Sequence, residues 1–127
     1  MKALVIADNK ASLQLLCEQI RTIGITPLPA ETSANGIDMF QSEHPDMVLL
    51  DVIMPDLDGY EVARQIRQLE SPGNWTPIIF MISLIKDKDK DKEIELSIAA
   101  GGDDFLLKPI SEVVLSTKIR AMQRTIQ

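Results

Sequence analysis

A chain of 127 residues with 45% hydrophobic content can bury one core, and a net charge of −6 with a pI near 4.7 argues against clustered Lys and Arg gripping a nucleic-acid backbone. The longest apolar stretches, Ala3 to Ala7 and Ile78 to Ile82, fall well short of the roughly 20 residues that cross a bilayer, and Met1-Lys2 leads straight into the first, so neither membrane anchor nor signal peptide is expected. The single cysteine, Cys17, rules out an internal disulfide and fits a buried thiol in a reduced, cytoplasmic protein.

Ala3-Leu4-Val5-Ile6 is apolar without alternation, the pattern of a strand covered on both faces. Leu13, Leu16, Cys17 and Ile20 then repeat at helical spacing, and Gly24 punctuates that helix. Ile25 to Ala30 reads as an edge strand, because Pro27 and Pro29 each lack a ladder donor. A second helix stops before Pro45, where His44 is placed to complement its dipole. Met47-Val48-Leu49-Leu50 is the third strand. Asp58 and Glu61 form a capping box that opens a helix carrying Val62, Ile66 and Leu69 on one face.

Trp75 follows the Ser71-Pro72-Gly73-Asn74 loop and is expected to cover a sheet edge, and its emission is expected to report bound Mg²⁺. Ile78-Ile79-Phe80-Met81-Ile82 is the fourth strand. In Lys86-Asp87-Lys88-Asp89-Lys90-Asp91-Lys92-Glu93 the i, i+4 neighbours are like charges and the i, i+3 neighbours opposite, so helix support nearly cancels and a mobile, solvated helix start is expected. Phe105-Leu106-Leu107 is the fifth strand, and Leu115, Ile119, Met122 and Ile126 form the stripe of a last helix. Met39, Met47, Met54, Met81 and Met122 read as core filling.

Alternating strands and helices predict an α/β fold, a doubly wound parallel sheet with its site at the carboxyl ends of the strands. Those ends carry Asp8-Asn9, Asp51, Ser83 and Lys108-Pro109. Asp8-Asn9 alone reads equally as a helix cap or as a metal ligand. Two carboxylates at neighbouring strand ends repel unless a cation lies between them, and a hard-oxygen pair suits Mg²⁺. An aspartate can also attack phosphorus if metal and a cation, here Lys108, neutralise the transferring oxygens, while a Ser83 hydroxyl can bond the phosphoryl group. Asp56-Leu57-Asp58-Gly59 is not a calcium loop, since Met54 and Gln65 stand where acids are needed.

The segments D-V-I-M-P-D-L-D-G at 51 to 59 and G-G-D-D-F-L-L-K-P at 101 to 109, with a hydroxyl after the fourth strand, resemble the receiver domains of bacterial response regulators over essentially the whole chain. The resemblance implies a flavodoxin-like five-stranded sheet of order 2-1-3-4-5 with five helices, residues 1–127 forming one receiver at the N-terminal part of a longer regulator. It implies Asp51 as the phosphorylation site, and Asp8, Asp51 and the backbone carbonyl of Ile53 as Mg²⁺ ligands. Ser83 and Phe105 become the switch pair, Lys108 contacts the phosphoryl group, and the Lys108–Pro109 bond is cis.

Three positions, Ala7, Leu84 and Phe105, depart from the family pattern, and the two variable positions flanking the acyl phosphate are apolar. Ala7 replaces the first of two acids, which should weaken Mg²⁺ and leave binding at millimolar concentrations. Leu84 narrows access for a phosphodonor. Apolar Ile53 and Ile85 orient no hydrolytic water, so a long-lived phosphoryl group is expected. Phe105 lacks the commoner tyrosine hydroxyl, so its rotamers differ by packing alone.

The function implied is a two-component receiver that switches a covalently linked output domain. Its partners would be a sensor histidine kinase or phosphotransfer protein, a homodimer is allowed, and no direct nucleic-acid or membrane contact is expected. It is not an enzyme acting on an external substrate. The alternative, motivated by Ala7 and Leu84, is a degenerate receiver serving as a phosphorylation-independent interaction module.

Overall fold

The computed structural model describes residues 1–83 and 90–125, of Lys90 the backbone alone. The expectations for Leu84, Ile85, Ile126 and the first part of the 86–93 charge run lie outside the described residues. Strands and helices alternate as β1 (Lys2–Ile6), α1 (Lys10–Thr22), β2 (Thr26–Ala30), α2 (Ser33–Glu43), β3 (Met47–Asp51), α3 (Gly59–Leu69), β4 (Ile78–Ser83), α4 (Lys90–Ala99), β5 (Asp104–Lys108) and α5 (Glu112–Thr125). All pairings are parallel, in the order β2-β1-β3-β4-β5, which is the expected flavodoxin-like arrangement.

The unbroken apolar runs form strands because both sheet faces are covered. Ala3, Val5, Met47, Leu49, Ile79 and Met81 face Leu13, Leu16, Cys17 and Ile20 of α1 and Leu115 and Ile119 of α5. Their alternates Leu4, Ile6, Val48, Leu50, Ile78, Phe80 and Ile82 face Phe40 of α2 and Val62, Ala63 and Ile66 of α3. Each fully buried Leu or Ile side chain contributes about 1.5–3 kcal/mol of transfer free energy, so the two layers are the main favourable term. No helix among the described residues is long and apolar enough to cross a membrane.

The edge position of β2 follows from its prolines. The Thr26 amide donates to the Met1 carbonyl, 3.0 Å, so Thr26 and its alternates Leu28 and Ala30 turn their N–H groups toward β1. Pro27 and Pro29 hold the outward positions, where a missing donor costs no ladder bond.

The helix ends refine the sequence reading. Asn9 is the N-cap of α1, its side chain accepting from the Ser12 amide at 3.0 Å, so capping is done without Asp8. The capping box at α3 is only half formed: Asp58 accepts from the Glu61 amide at 2.9 Å, but Glu61 turns to Arg64, 3.0 Å, and Gln65, 3.4 Å. His44 closes α2 in the left-handed region, φ 49°, a role usually left to glycine or asparagine. Trp75 does not cover the sheet edge: it is 60% exposed, lies on the Arg67 guanidinium with Cζ 3.4 Å from the ring centroid, and its Nε1 donates to Asp103 at 2.7 Å.

Candidate functional site

The strand order reverses between β1 and β3, so the crevice at their carboxyl ends is where such a sheet presents a site. Ile6 pairs with Leu50, which sets Asp8, two residues beyond, and Asp51, one beyond, on the two sides of that crevice. Asp8 is exposed, and among the described residues nothing hydrogen-bonds its carboxylate. Asp51 is 4% exposed.

On the other flank Ser83 of β4 pairs with Lys108 of β5. The Lys108 ammonium donates to Oδ2 of Asp51 at 2.6 Å across the end of β4, and the Lys108–Pro109 peptide bond is cis. Ser83 is exposed and its hydroxyl has no partner among the described residues. Asp51, Ser83 and Lys108 thus converge on one shelf. A concavity of about 950 Å³ lies at the opposite pole, lined by His44, Asp46, Trp75 and Met122 among others.

Phe105 is not brought into contact with Ser83. It pairs with Phe80, nearer the amino end of the ladder, and packs half-buried against the layer containing α2 and α3. The Lys118 ammonium lies 4.7 Å from its ring centroid and donates to its carbonyl and to Asp104.

The residues that could hold a cation are Asp8 and Asp51 through their carboxylates and Ile53 through its carbonyl, in a segment whose Ile53 side chain is 63% exposed. All three offer hard oxygens, which suits Mg²⁺; no group of three or more His, Cys, Asp or Glu able to hold a metal exists among the described residues. Few protein ligands fit an ion that keeps several waters and takes phosphate oxygens. Ala7 is buried, so the position that would carry a further acid is apolar here.

The loop between β3 and α3 is fixed by bonds that sequence reasoning missed. The Gly59 amide donates to the Val52 carbonyl at 2.7 Å, and a Cβ on Gly59 would lie 2.4 Å from the Asp51 carbonyl oxygen, so only glycine lets α3 begin against the strand end. Asp56 accepts from the Ser33 and Ala34 amides of α2, each at 3.1 Å. Although desolvation alone would raise its pKa, those backbone bonds pull the Asp56 carboxyl down to about 2. Tyr60, its ring 5.3 Å from that of Phe80, donates its hydroxyl to the Glu93 carboxylate and so ties α3 to α4. Burial, then the bond to Glu93, pushes its phenol well above the ordinary range.

The response regulator receiver domain family is matched over residues 3–120. The chain belongs to that family. The receiver is 36% identical over 126 residues to a probable transcriptional regulator ycf27 of Galdieria sulphuraria, covering 97% of this chain and 46% of the relative. It is 35% identical over 124 residues to the response regulator MprA of Mycobacterium avium, covering 98% and 51%. A two-component response regulator from Clostridium difficile superposes with a TM-score of 0.86 at 29% identity, over 98% of this chain and 96% of that one. The receiver spans about half the length of the curated relatives it matches.

Of the missed residues, Gly59 stood inside the motif and could have been read from the need of a helix start to approach a strand end. Ser33, Lys118 and Tyr60 act through partners far away in sequence, and no local spacing announces them.

Proposed function

We propose that this receiver of a two-component system takes a phosphoryl group on Asp51 and passes its presence to an output domain. The observation that carries the reading is the Lys108–Asp51 pair: a cation held 2.6 Å from a carboxylate that is nearly buried, beside the exposed Ser83. An Asp51 oxygen would attack phosphorus, forming the Asp51 O–P bond as the donor's bond to phosphorus breaks and the leaving group departs with the electron pair. Bound Mg²⁺ would neutralise charge on the transferring oxygens. Asp8, Asp51 and the Ile53 carbonyl would hold it.

Lys108 would follow the developing charge on the phosphoryl oxygens, and the Ser83 hydroxyl, unengaged among the described residues, would donate to one of them. Phe105 would respond by packing, against the cation of Lys118 rather than through a hydroxyl of its own. The exposed apolar side chain of Ile53 orients no water toward the acyl phosphate, which supports a long-lived phosphoryl group.

A sensor histidine kinase or phosphotransfer protein would supply the group. Because the curated relatives are about twice as long and are named as regulators, several of them as transcriptional regulators, we carry over a linked output domain of that kind.

The test is intact mass after incubation with Mg²⁺ and acetyl phosphate, beside an Asp51→Asn control. One phosphate adduct, absent from the control and lasting well beyond seconds, is the expected result. No adduct would leave the phosphorylation-independent interaction module as the better reading.

A further inference from the structure

The segment 52–58 presents the Ile53 carbonyl, and its ends are tied to the sheet and to each other: the Val52 amide donates to the Met81 carbonyl of β4 at 3.2 Å, and the Gly59 amide returns to the Val52 carbonyl at 2.7 Å. Its middle is tied to a different part of the chain. One carboxylate oxygen of Asp56 accepts from the Ser33 amide and the other from the Ala34 amide, each at 3.1 Å, while the Ser33 hydroxyl donates to the Leu57 carbonyl at 2.7 Å. Ser33 is 0% exposed, so its hydroxyl has no water as an alternative partner.

We propose that Asp56 is a positioning residue of the site: by clamping the crown of the 52–58 loop to the first turn of α2, it fixes where the Ile53 carbonyl and Asp51 offer oxygens to Mg²⁺. This rests on the reading of those residues as metal ligands. Capping of α2 is not sufficient to account for the clasp, because Thr32 already caps that helix, its hydroxyl accepting from the Asn35 amide at 3.1 Å. Asp56 adds a bond between elements, 22 and 23 residues apart in sequence. Without it the loop keeps its two ends, the Ser33–Leu57 bond and the buried Met54, but loses both ties from its crown to the α2 amides, and the Ile53 carbonyl gains freedom to turn.

Asp56 touches no reacting atom, so the test must separate positioning from loss of stability. Thr32→Ala serves as the control, since it weakens the same helix turn without touching the loop. Mg²⁺ is titrated into wild type, Asp56→Ala, Asp56→Asn and Thr32→Ala, read by backbone amide NMR shifts of residues 52–57, with thermal melts of each variant. Initial phosphorylation rates with acetyl phosphate are measured across the same Mg²⁺ range.

Asp56→Ala is expected to raise half-saturating Mg²⁺ about tenfold, as loss of an outer partner of a metal site does. Asp56→Asn keeps an accepting oxygen for one of the two amides and so recovers part of that loss, while Thr32→Ala melts lower at unchanged half-saturation. Wild-type half-saturation in Asp56→Ala, or an equal shift in Thr32→Ala, overturns the proposal. So does a wild type with no Mg²⁺-dependent shift. If the wild type binds Mg²⁺ but takes no phosphoryl group, the Asp51 reading fails while the titration still decides on Asp56.

Discussion

Lys108 reaches from β5 past the end of β4 to set its ammonium 2.6 Å from Asp51 Oδ2 on β3, and the two partners differ in solvation: the Asp51 side chain is 6% exposed, that of Lys108 32%. The two halves of the pair are therefore not equivalent. Lys108→Met strands a desolvated carboxylate and should cost about 1–3 kcal/mol. Asp51→Asn leaves an ammonium that water can serve and removes a negative charge near Asp8, so its change should stay within about 1 kcal/mol. Urea denaturation of both variants without Mg²⁺ checks the order; a larger loss for Asp51→Asn contradicts it.

Gly59→Ala tests the join between β3 and α3. The added methyl would meet the Asp51 carbonyl oxygen at 2.4 Å and the Val52 Cα at 2.8 Å, both backbone atoms that cannot rotate aside. A loss of about 3 kcal/mol is expected, together with slower phosphorylation because the strain falls on the Asp51 backbone itself. Wild-type stability would mean that the helix start can retreat without cost.

The acid limb of stability should carry a contribution from Asp56. Its carboxyl sits at about 2 when folded against an ordinary 3.8, so the unfolded chain takes up the proton first as pH falls. The contribution is present above pH 3.8 and is lost as pH descends toward 2. Thermal midpoints between pH 5 and pH 2.5 should therefore fall more steeply for wild type than for Asp56→Asn. Parallel curves would remove the carboxylate from the clasp.

Trp75, expected from sequence to report Mg²⁺, should be silent to it. The residue precedes β4, whereas Ser83 ends it, and six strand residues span about 20 Å. Mg²⁺ and acetyl phosphate should leave its emission unchanged. Arg67→Ala should shift that emission and cost about 2–4 kcal/mol, because Arg67 also donates to Gly101 and Thr76 carbonyls and pairs with Glu70 and Asp103. Quenching by Mg²⁺ in the wild type would refute this placement.

Four of the five strands were legible because a strand covered on both faces needs apolar residues without interruption, and β2 was legible because its two prolines suit an edge. Asp8, Asp51, Ser83 and Lys108 could be found by one topological rule, that parallel sheets offer their carboxyl ends. What escaped were bonds from a side chain to a distant backbone or ring: Asp56 to the α2 amides, Lys118 to Phe105, Arg67 to Gly101. Such bonds have no period, and their partners are chosen only when the layers assemble. Trp75 was misread for the same reason, since the guanidinium it lies on comes from α3. Glu61 was misread locally, because Arg64 and Gln65 competed for its side chain.

The outward positions of β2 bear on how the receiver behaves when crowded. An exposed parallel edge normally offers a row of free amides to any extended segment, from a neighbouring copy or from an unfolded chain. Pro27 and Pro29 remove that row at the two places where it would form, leaving carbonyls that only a donor-rich intruder could use. Growth of the sheet past β2 would find no donor at either place, so the two prolines disfavour fibrillar association at that side.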